Sequence, residues 1–216
     1  MDVKNSILAS LLFICFAYAN GQELNCLDVP YKLRGYFYAG SGIIDTEAPG
    51  GFYEASNRPK KNDQFIRKIG NNSDLQLVVK TDSIVEFRDG VKGFKVFLIN
   101  STDSIYLLSA QDSRISVVRQ VYYKNEWQDV EYLPSSSCGN SYHSVYIKPN
   151  EYWDFTAPCM EGKIKSKFRF NLHIGVTKDL AIKNLYSNEF EGSFNKEQLK
   201  REQGHESINI LNPYNN

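Results

Sequence analysis

The chain has 216 residues, enough for one or two domains, and its 25 basic side chains balance 25 acidic ones. With no net field to gather polyanions, it is not expected to bind nucleic acid. A 42% hydrophobic and 23% charged composition excludes a disordered or fibrous chain, and 13% aromatic residues favour β-structure, where flat rings pack on a pleated surface.

Residues 1–21 read as an export signal. Lys4 precedes Ile7 to Tyr18, where only Ser10 is not apolar, and Ala17-Tyr18-Ala19 offers the small-x-small pattern read by signal peptidase. Cleavage after Ala19-Asn20-Gly21 would leave Gln22 as the new N-terminus. So short a run rises only about 18 Å as a helix, against a hydrocarbon core of about 30 Å. No later stretch is long and apolar enough, so the mature chain is expected to lack a membrane span and to be secreted or periplasmic. Neither Cys15, after Ile14, nor Cys26, after Leu24-Asn25, fits a lipoprotein signal.

Residues 22–74 form a Gly- and aromatic-rich arm or extra strands of the following domain. Gly35, Tyr36, Phe37, Tyr38, Gly40, Gly42, Gly50, Gly51, Phe52 and Tyr53 give way to Arg58, Lys60, Lys61, Arg67 and Lys68. Residues 75–195 read as an antiparallel β-sandwich of about eight strands. Phe94, Val96 and Leu98 share one face, with Lys95 on the other; Val117, Arg119, Val121 and Tyr123 alternate with Val118, Gln120 and Tyr122. From Lys163 to Ile174 the pattern is clearest: Ile164, Phe168, Phe170, Leu172 and Ile174 face the core, and Lys163, Lys165, Lys167, Arg169 and His173 face water. Asp89-Gly90, Lys124-Asn125-Glu126 and Lys148-Pro149-Asn150-Glu151 are the turns. In the last segment, 196–216, Asn195-Lys196-Glu197-Gln198 resembles a capping box and Gly204 a helix stop, so one short C-terminal helix is expected before a frayed tail at 212–216. The fold class is all-β.

Without Cys15, an exported chain keeps Cys26, Cys138 and Cys159, and pairing is expected in an oxidising compartment. If Pro149-Asn150 is a hairpin tip, Cys138 and Cys159 come within two residues of facing each other, which predicts a Cys138–Cys159 disulfide worth about 3 kcal/mol. Cys26 is left open: free, buried, or paired with another chain.

Little catalytic chemistry survives inspection, and no enzyme, metal or cofactor is expected. Cys138 and His143 lie five apart, but an exported cysteine with a partner nearby is more often structural. The three histidines lack zinc-site spacing, and Gly40-Ser41-Gly42 has neither a nucleophile-elbow nor a phosphate-loop frame. Asp129, Glu131, Glu151 and Asp154 are carboxylates that would have to pair in space for glycoside hydrolysis.

Two surface features admit a binding role. The Lys163-Lys165-Lys167-Arg169 row suits an acidic ligand such as a sulfated or uronic glycan, beside the commoner reading of a solvated face that discourages edge pairing. The cluster Tyr36, Phe37, Tyr38, Phe52 and Tyr53 suits stacking on sugars, beside the commoner reading of core packing. Trp127 and Trp153 read as core anchors. Asn71-Asn72-Ser73 and Asn100-Ser101-Thr102 are N-glycosylation sequons, and Asp82-Ser83-Ile84 and Asp103-Ser104-Ile105 resemble an Asp-Ser/Thr-apolar O-glycosylation pattern.

The run Tyr146-Ile147-Lys148-Pro149-Asn150-Glu151-Tyr152-Trp153-Asp154-Phe155, followed by Gly162 and the Lys163–Leu172 strand, resembles small immunoglobulin-like domains of exported Bacteroidota-type proteins. It is also similar to the intracellular proteinase inhibitor family, from which the export signal and the expected disulfide depart. The resemblance spans Phe94 to Ile174, implies an immunoglobulin-like sandwich and carries over no functional residue. The expected function is a non-enzymatic exported module that binds a glycan or protein partner. A proteinase-inhibitor-like domain is the alternative, and a carbohydrate-active enzyme the second alternative.

Overall fold

The computed structural model describes residues 25–70, 74–174 and 183–203. The export signal, the Asn71-Asn72-Ser73 sequon, the Gly204 helix stop and the 212–216 tail lie outside the described residues. Short strands β1 (Leu27–Asp28) and β2 (Leu33–Arg34) precede helix α1 (Asp63–Ile69). The long strands β3 (Leu75–Arg88) and β4 (Val91–Asn100) follow, then β5 (Tyr106–Gln111), β6 (Arg114–Ile115), β7 (Val117–Tyr123), β8 (Glu126–Asp129) and β9 (Glu131–Tyr132). After these come β10 (Tyr142–Ile147), β11 (Glu151–Pro158), β12 (Met160–Glu161), β13 (Ile164–Ile174), β14 (Lys183–Tyr186) and β15 (Phe190–Phe194).

The fold is an all-β, sandwich-like stack of antiparallel sheets. One sheet runs β11-β4-β3; facing strands form β10-β5-β6 and β14-β13-β7-β8, with β15 also on β13. Leu77 and Val79 of β3, Val96 and Leu98 of β4 and Trp153 and Phe155 of β11 share one core with Leu108, Val145, Ile147, Phe170 and Leu172. Each such side chain contributes about 1.5–3 kcal/mol on burial. The hairpin turns expected at Asp89-Gly90 and Lys124-Asn125 are present, with positive φ at every central residue (50° and 76°; 54° and 66°). Such turns match the twist of the strands they join. A third, Asp112-Ser113 (φ 47° and 60°), links β5 to β6 without a glycine signal.

Residues 25–70 are part of the same body. Phe37 and Ala39 are fully buried in the main core, although little of this segment is regular strand. Helix α1 was not expected from sequence. It starts where the Asn62 side chain accepts the Phe65 N–H at 3.0 Å, and Arg67 and Lys68 complement the dipole in its last turn. Phe65, Ile66 and Ile69 cover Phe97, Ile99 and Tyr152 on the outer face of the β11-β4-β3 sheet. β4 is therefore buried on both faces, which explains its unbroken Val96-Phe97-Leu98-Ile99 run. At the C-terminus the expected helix is a 3-10 turn, Lys196–Leu199, in which the Asn195 N–H donates to Gln198 Oε1 at 2.8 Å.

The disulfide expectation is corrected. Cys26 is bonded to Cys159, with Cα atoms 4.9 Å apart, and Cys138 is free. The expected register required Lys148–Glu151 to close a hairpin. Instead β10 pairs with β5, and β11 pairs with β4 in the other layer. The turn carries the chain between sheets, so Cys138 and Cys159 diverge. Beside Cys159, β12 takes β1 as a parallel neighbour (Leu27↔Met160), which brings Cys26 within bonding range.

Candidate functional site

The β13 row behaves as its period requires. Phe168, Phe170 and Leu172 are buried, and Lys163, Lys165 and Lys167 are exposed. A one-residue slip would exchange these sets, so register is fixed by burial. What the row faces is richer than a lysine stripe. Cross-strand pairing sets Arg169 beside Gln120 of β7, Tyr122 beside Trp127 of β8, and Asn171 beside Tyr186 of β14. The Arg169 guanidinium carbon lies 4.2 Å from the Trp127 ring centroid and 3.8 Å from that of Tyr186. Arg169 Nε donates to Gln120 Oε1 at 2.8 Å. Among the described residues no carboxylate forms an ion pair with it. Its pKa is lowered chiefly by desolvation, but an arginine stays charged at any working pH. Lys167, by contrast, pairs with Glu189 at 3.1 Å. The site is a flat guanidinium between two rings, and among the described residues only its Nε hydrogen-bonds to protein.

Trp127 was expected in the core and is corrected: it is half-buried on the outer face, 5.4 Å from Tyr122, which is 40% exposed. Trp153 is the core anchor expected, with no exposure and its Nε1–H donating to the Gly40 carbonyl at 3.1 Å.

Tyr36 and Tyr38, the other two candidate binding residues, are half-buried. The Tyr36 hydroxyl donates to Glu131 Oε1 at 2.7 Å and accepts from Arg119 Nη2 at 3.0 Å. Arg119 points inward with Val117 and Val121; its Nε sits 3.2 Å from Glu131 Oε1, and Nη2 donates to the Pro158 carbonyl. Burial drives the Tyr36 phenol pKa well above its ordinary value, opposed by Arg119. Tyr38 packs on Arg114, whose guanidinium carbon is 4.9 Å from the ring.

A second concavity was not read from sequence. A half-open cleft of about 670 Å³ lies among Gly40–Asp45, Phe52–Pro59 and β10. Its roof is the loop from Ser41, laced to the free edge of β10 by side chains. Ser41 Oγ accepts the Tyr146 N–H at 3.1 Å, and Asp45 Oδ2 accepts the Ser144 N–H at 2.6 Å. These bonds occupy edge groups that would otherwise invite another strand. Gly40 permits the close approach at the base: a Cβ there would sit 2.2 Å from the Ala55 carbonyl oxygen. His143 lines the cleft, stacked on Phe52 at 3.6 Å with ring planes 7° apart. Its walls come from positions about a hundred residues apart, so no local pattern announces it.

The four carboxylates do not assemble. Glu131 pairs with Arg119, Asp154 with Lys60 and Lys95, Asp129 accepts from Gln120, and Glu151 accepts the Lys148 N–H. No hydrogen bond joins Cys138 to His143 among the described residues; His143 Nδ1 meets the Ser141 carbonyl instead. Asn100 is fully buried, its Nδ2 donating to the Ser104 and Ile147 carbonyls, so this sequon is closed in the folded chain. The Ile residues of both Asp-Ser-Ile patterns are surface residues, Ile84 47% and Ile105 54% exposed. Among the described residues no cluster of three or more His, Cys, Asp or Glu is placed to hold a metal ion, and no helix is long and apolar enough to cross a membrane. No protein-family model, curated protein or solved structure matches the chain.

Proposed function

We propose that this is an exported, non-enzymatic binding module of immunoglobulin-like kind, whose ligand is an acidic glycan bearing carboxylate or sulfate groups. The observation that carries the reading is Arg169. A guanidinium presents a planar fork that fits such oxyanions bidentately, and here it is held by Gln120 and by rings on both sides. Fixing it in advance removes part of the ordering cost of binding. Tyr122, Trp127 and Tyr186 offer ring faces to a sugar skeleton, and exposed Lys163 and Lys165 extend the positive charge along β13. Secretion or a periplasmic location is supported by the apolar leader and by a disulfide, which persists in oxidising compartments.

Retention of the purified protein on immobilised neutral, uronic and sulfated oligosaccharides tests the reading. Acidic members should retain it, and moderate salt should release it, because exposed charges are screened over about 10 Å at 0.1 M. Retention by neutral glycans alone, or by none, would reject it. A second reading, a proteinase-inhibitor-like module, is favoured by the roof loop: Ile44 is 85% exposed between the pinned residues Ser41 and Asp45. Unchanged activity across a panel of purified proteases would remove it.

A further inference from the structure

A cavity of about 230 Å³ opens between β3 and β15, away from Arg169 and from the cleft under the Ser41–Asp45 loop. β3 bulges at this point: its pairing with β4 passes from Lys80↔Lys95 directly to Ile84↔Phe94, which leaves Thr81, Asp82 and Ser83 out of register. Such bulges re-aim side chains and end pairing beside functional sites. Exposed Thr81, Ile84 and Glu191 mark the mouth, and buried Phe94, Met160 and Phe168 line the interior. Gly192 lets β15 close over that interior, since a Cβ there would lie 2.9 Å from Phe168 Cε2. Arg119 also lines the cavity, although it is only 1% exposed. Its Nη2 donates to the Tyr36 hydroxyl and the Pro158 carbonyl, while Nε lies 3.2 Å from Glu131 Oε1 but is buried without a hydrogen bond. Nη1 has no acceptor among the described residues. A guanidinium carries five N–H donors, and buried ones left unmet call for an acceptor from outside the protein.

We infer that this cavity binds a small uncharged molecule with an apolar body and one carbonyl group, whose oxygen accepts from the Arg119 guanidinium. Charge decides against an anion. Glu131, which has no exposure, already neutralises Arg119, and Glu191 adds a negative charge at the mouth. A carboxylate would therefore enter as an uncompensated charge among apolar side chains. An ammonium has donors only and would meet a like charge. Size limits the body. A cavity of roughly 150 Å³ holds benzene, so about 230 Å³ takes one ring with a short chain. Phe94, Phe168 and Phe190 already pack against one another at the wall, and their rings suit an aromatic or aliphatic body.

The test titrates the protein with three probes of one shape, 4-phenyl-2-butanone, 3-phenylpropionate and 4-phenylbutan-2-amine, read by NMR shifts of the Phe94 and Gly192 amides. Varying the probe leaves the buried pair intact, whereas truncating Arg119 would strand Glu131 as an unpaired charge. The ketone should bind at least about tenfold more tightly than the amine, through a hydrogen bond to a charged donor. It should also bind more tightly than the carboxylate. Ile84→Trp narrows the mouth from an exposed position and should weaken ketone binding by about tenfold or more; should that variant fail to fold, Thr81→Trp serves in its place. Arg169→Ala should leave ketone binding unchanged, so failure here and failure of the acidic-glycan reading are distinguishable. Tighter binding of the carboxylate would overturn the uncharged class, and equal binding of the amine would overturn the role of Arg119. No shift with the ketone at millimolar concentration, or undiminished binding to the mouth variant, would overturn the site itself.

Discussion

Single residues show which charges the fold depends on. Phe170 has no exposure and stacks near Phe190, with ring centroids 5.7 Å apart, while Lys165 is exposed three strand positions from the core residue Phe168, on the opposite face. Phe170→Ala should cost about 3–5 kcal/mol and Lys165→Ala within about 0.5 kcal/mol, so their thermal melts should separate clearly. Equal losses would mean that β13 is buried on both faces. Asp154 contributes differently. Burial alone would raise its pKa, but hydrogen bonds from Lys60 and Lys95 outweigh it and hold the carboxyl below its ordinary value. A carboxylate with a depressed folded pKa adds stability that is present above its unfolded pKa, near 3.9, and lost as pH falls through the folded one. Urea denaturation of the wild type should therefore weaken steeply below about pH 4, and Asp154→Asn should flatten that limb while lowering stability at pH 7. Parallel acid limbs in the two proteins would show that the Lys60–Asp154–Lys95 contact contributes nothing. Phe168, Phe170 and Leu172 were legible in the sequence because a period of two is a local property. Arg119 was not, since its inward position depends on Glu131 and Tyr36 from other segments.

Among elements, what the sequence conceals is partnership. The turn at Pro149-Asn150 was recognisable from its residues, and Asn150 does adopt a positive φ of 56°. Nothing local states that the strands on either side join different sheets, and the Cys138–Cys159 expectation failed on that point alone. Helix α1 did leave a trace in Asn62, Asp63 and the spacing of Phe65, Ile66 and Ile69, but the surrounding lysines and arginines disguised it as a basic loop. The Cys26–Cys159 bond spans 133 positions, and closing a loop of that length contributes about 5 kcal/mol in the chain-entropy model. Cys159→Ser should therefore lower the melting temperature markedly, and reduction should do the same to the wild type. Cys138→Ser should change it little and should not alter the response to reductant. Peptide mapping without reduction should recover Cys26 linked to Cys159; recovery of Cys138 in the linked species would contradict the topology described.

At the scale of the whole molecule, the two faces of the sandwich have different fates. Helix α1 covers the outer face of the β11-β4-β3 sheet, whereas the outer face around β13 keeps its rings and cations at the surface. A sequence reading could mark the cations but not the rings beside them, because Trp127 and Tyr186 reach Arg169 only through strand pairing. The central claim proposed is that the outer face around β13 binds an acidic glycan through Arg169. The direct measurement is calorimetric titration of a uronic or sulfated oligosaccharide retained by the wild type against Arg169→Ala and Arg67→Ala. Both variants remove one positive charge, the second from α1 on the opposite face. Loss of the bidentate contact should weaken Arg169→Ala by about tenfold or more, while Arg67→Ala stays within about twofold. Equal affinities for the two variants would contradict the account and leave only nonspecific attraction to a charged surface.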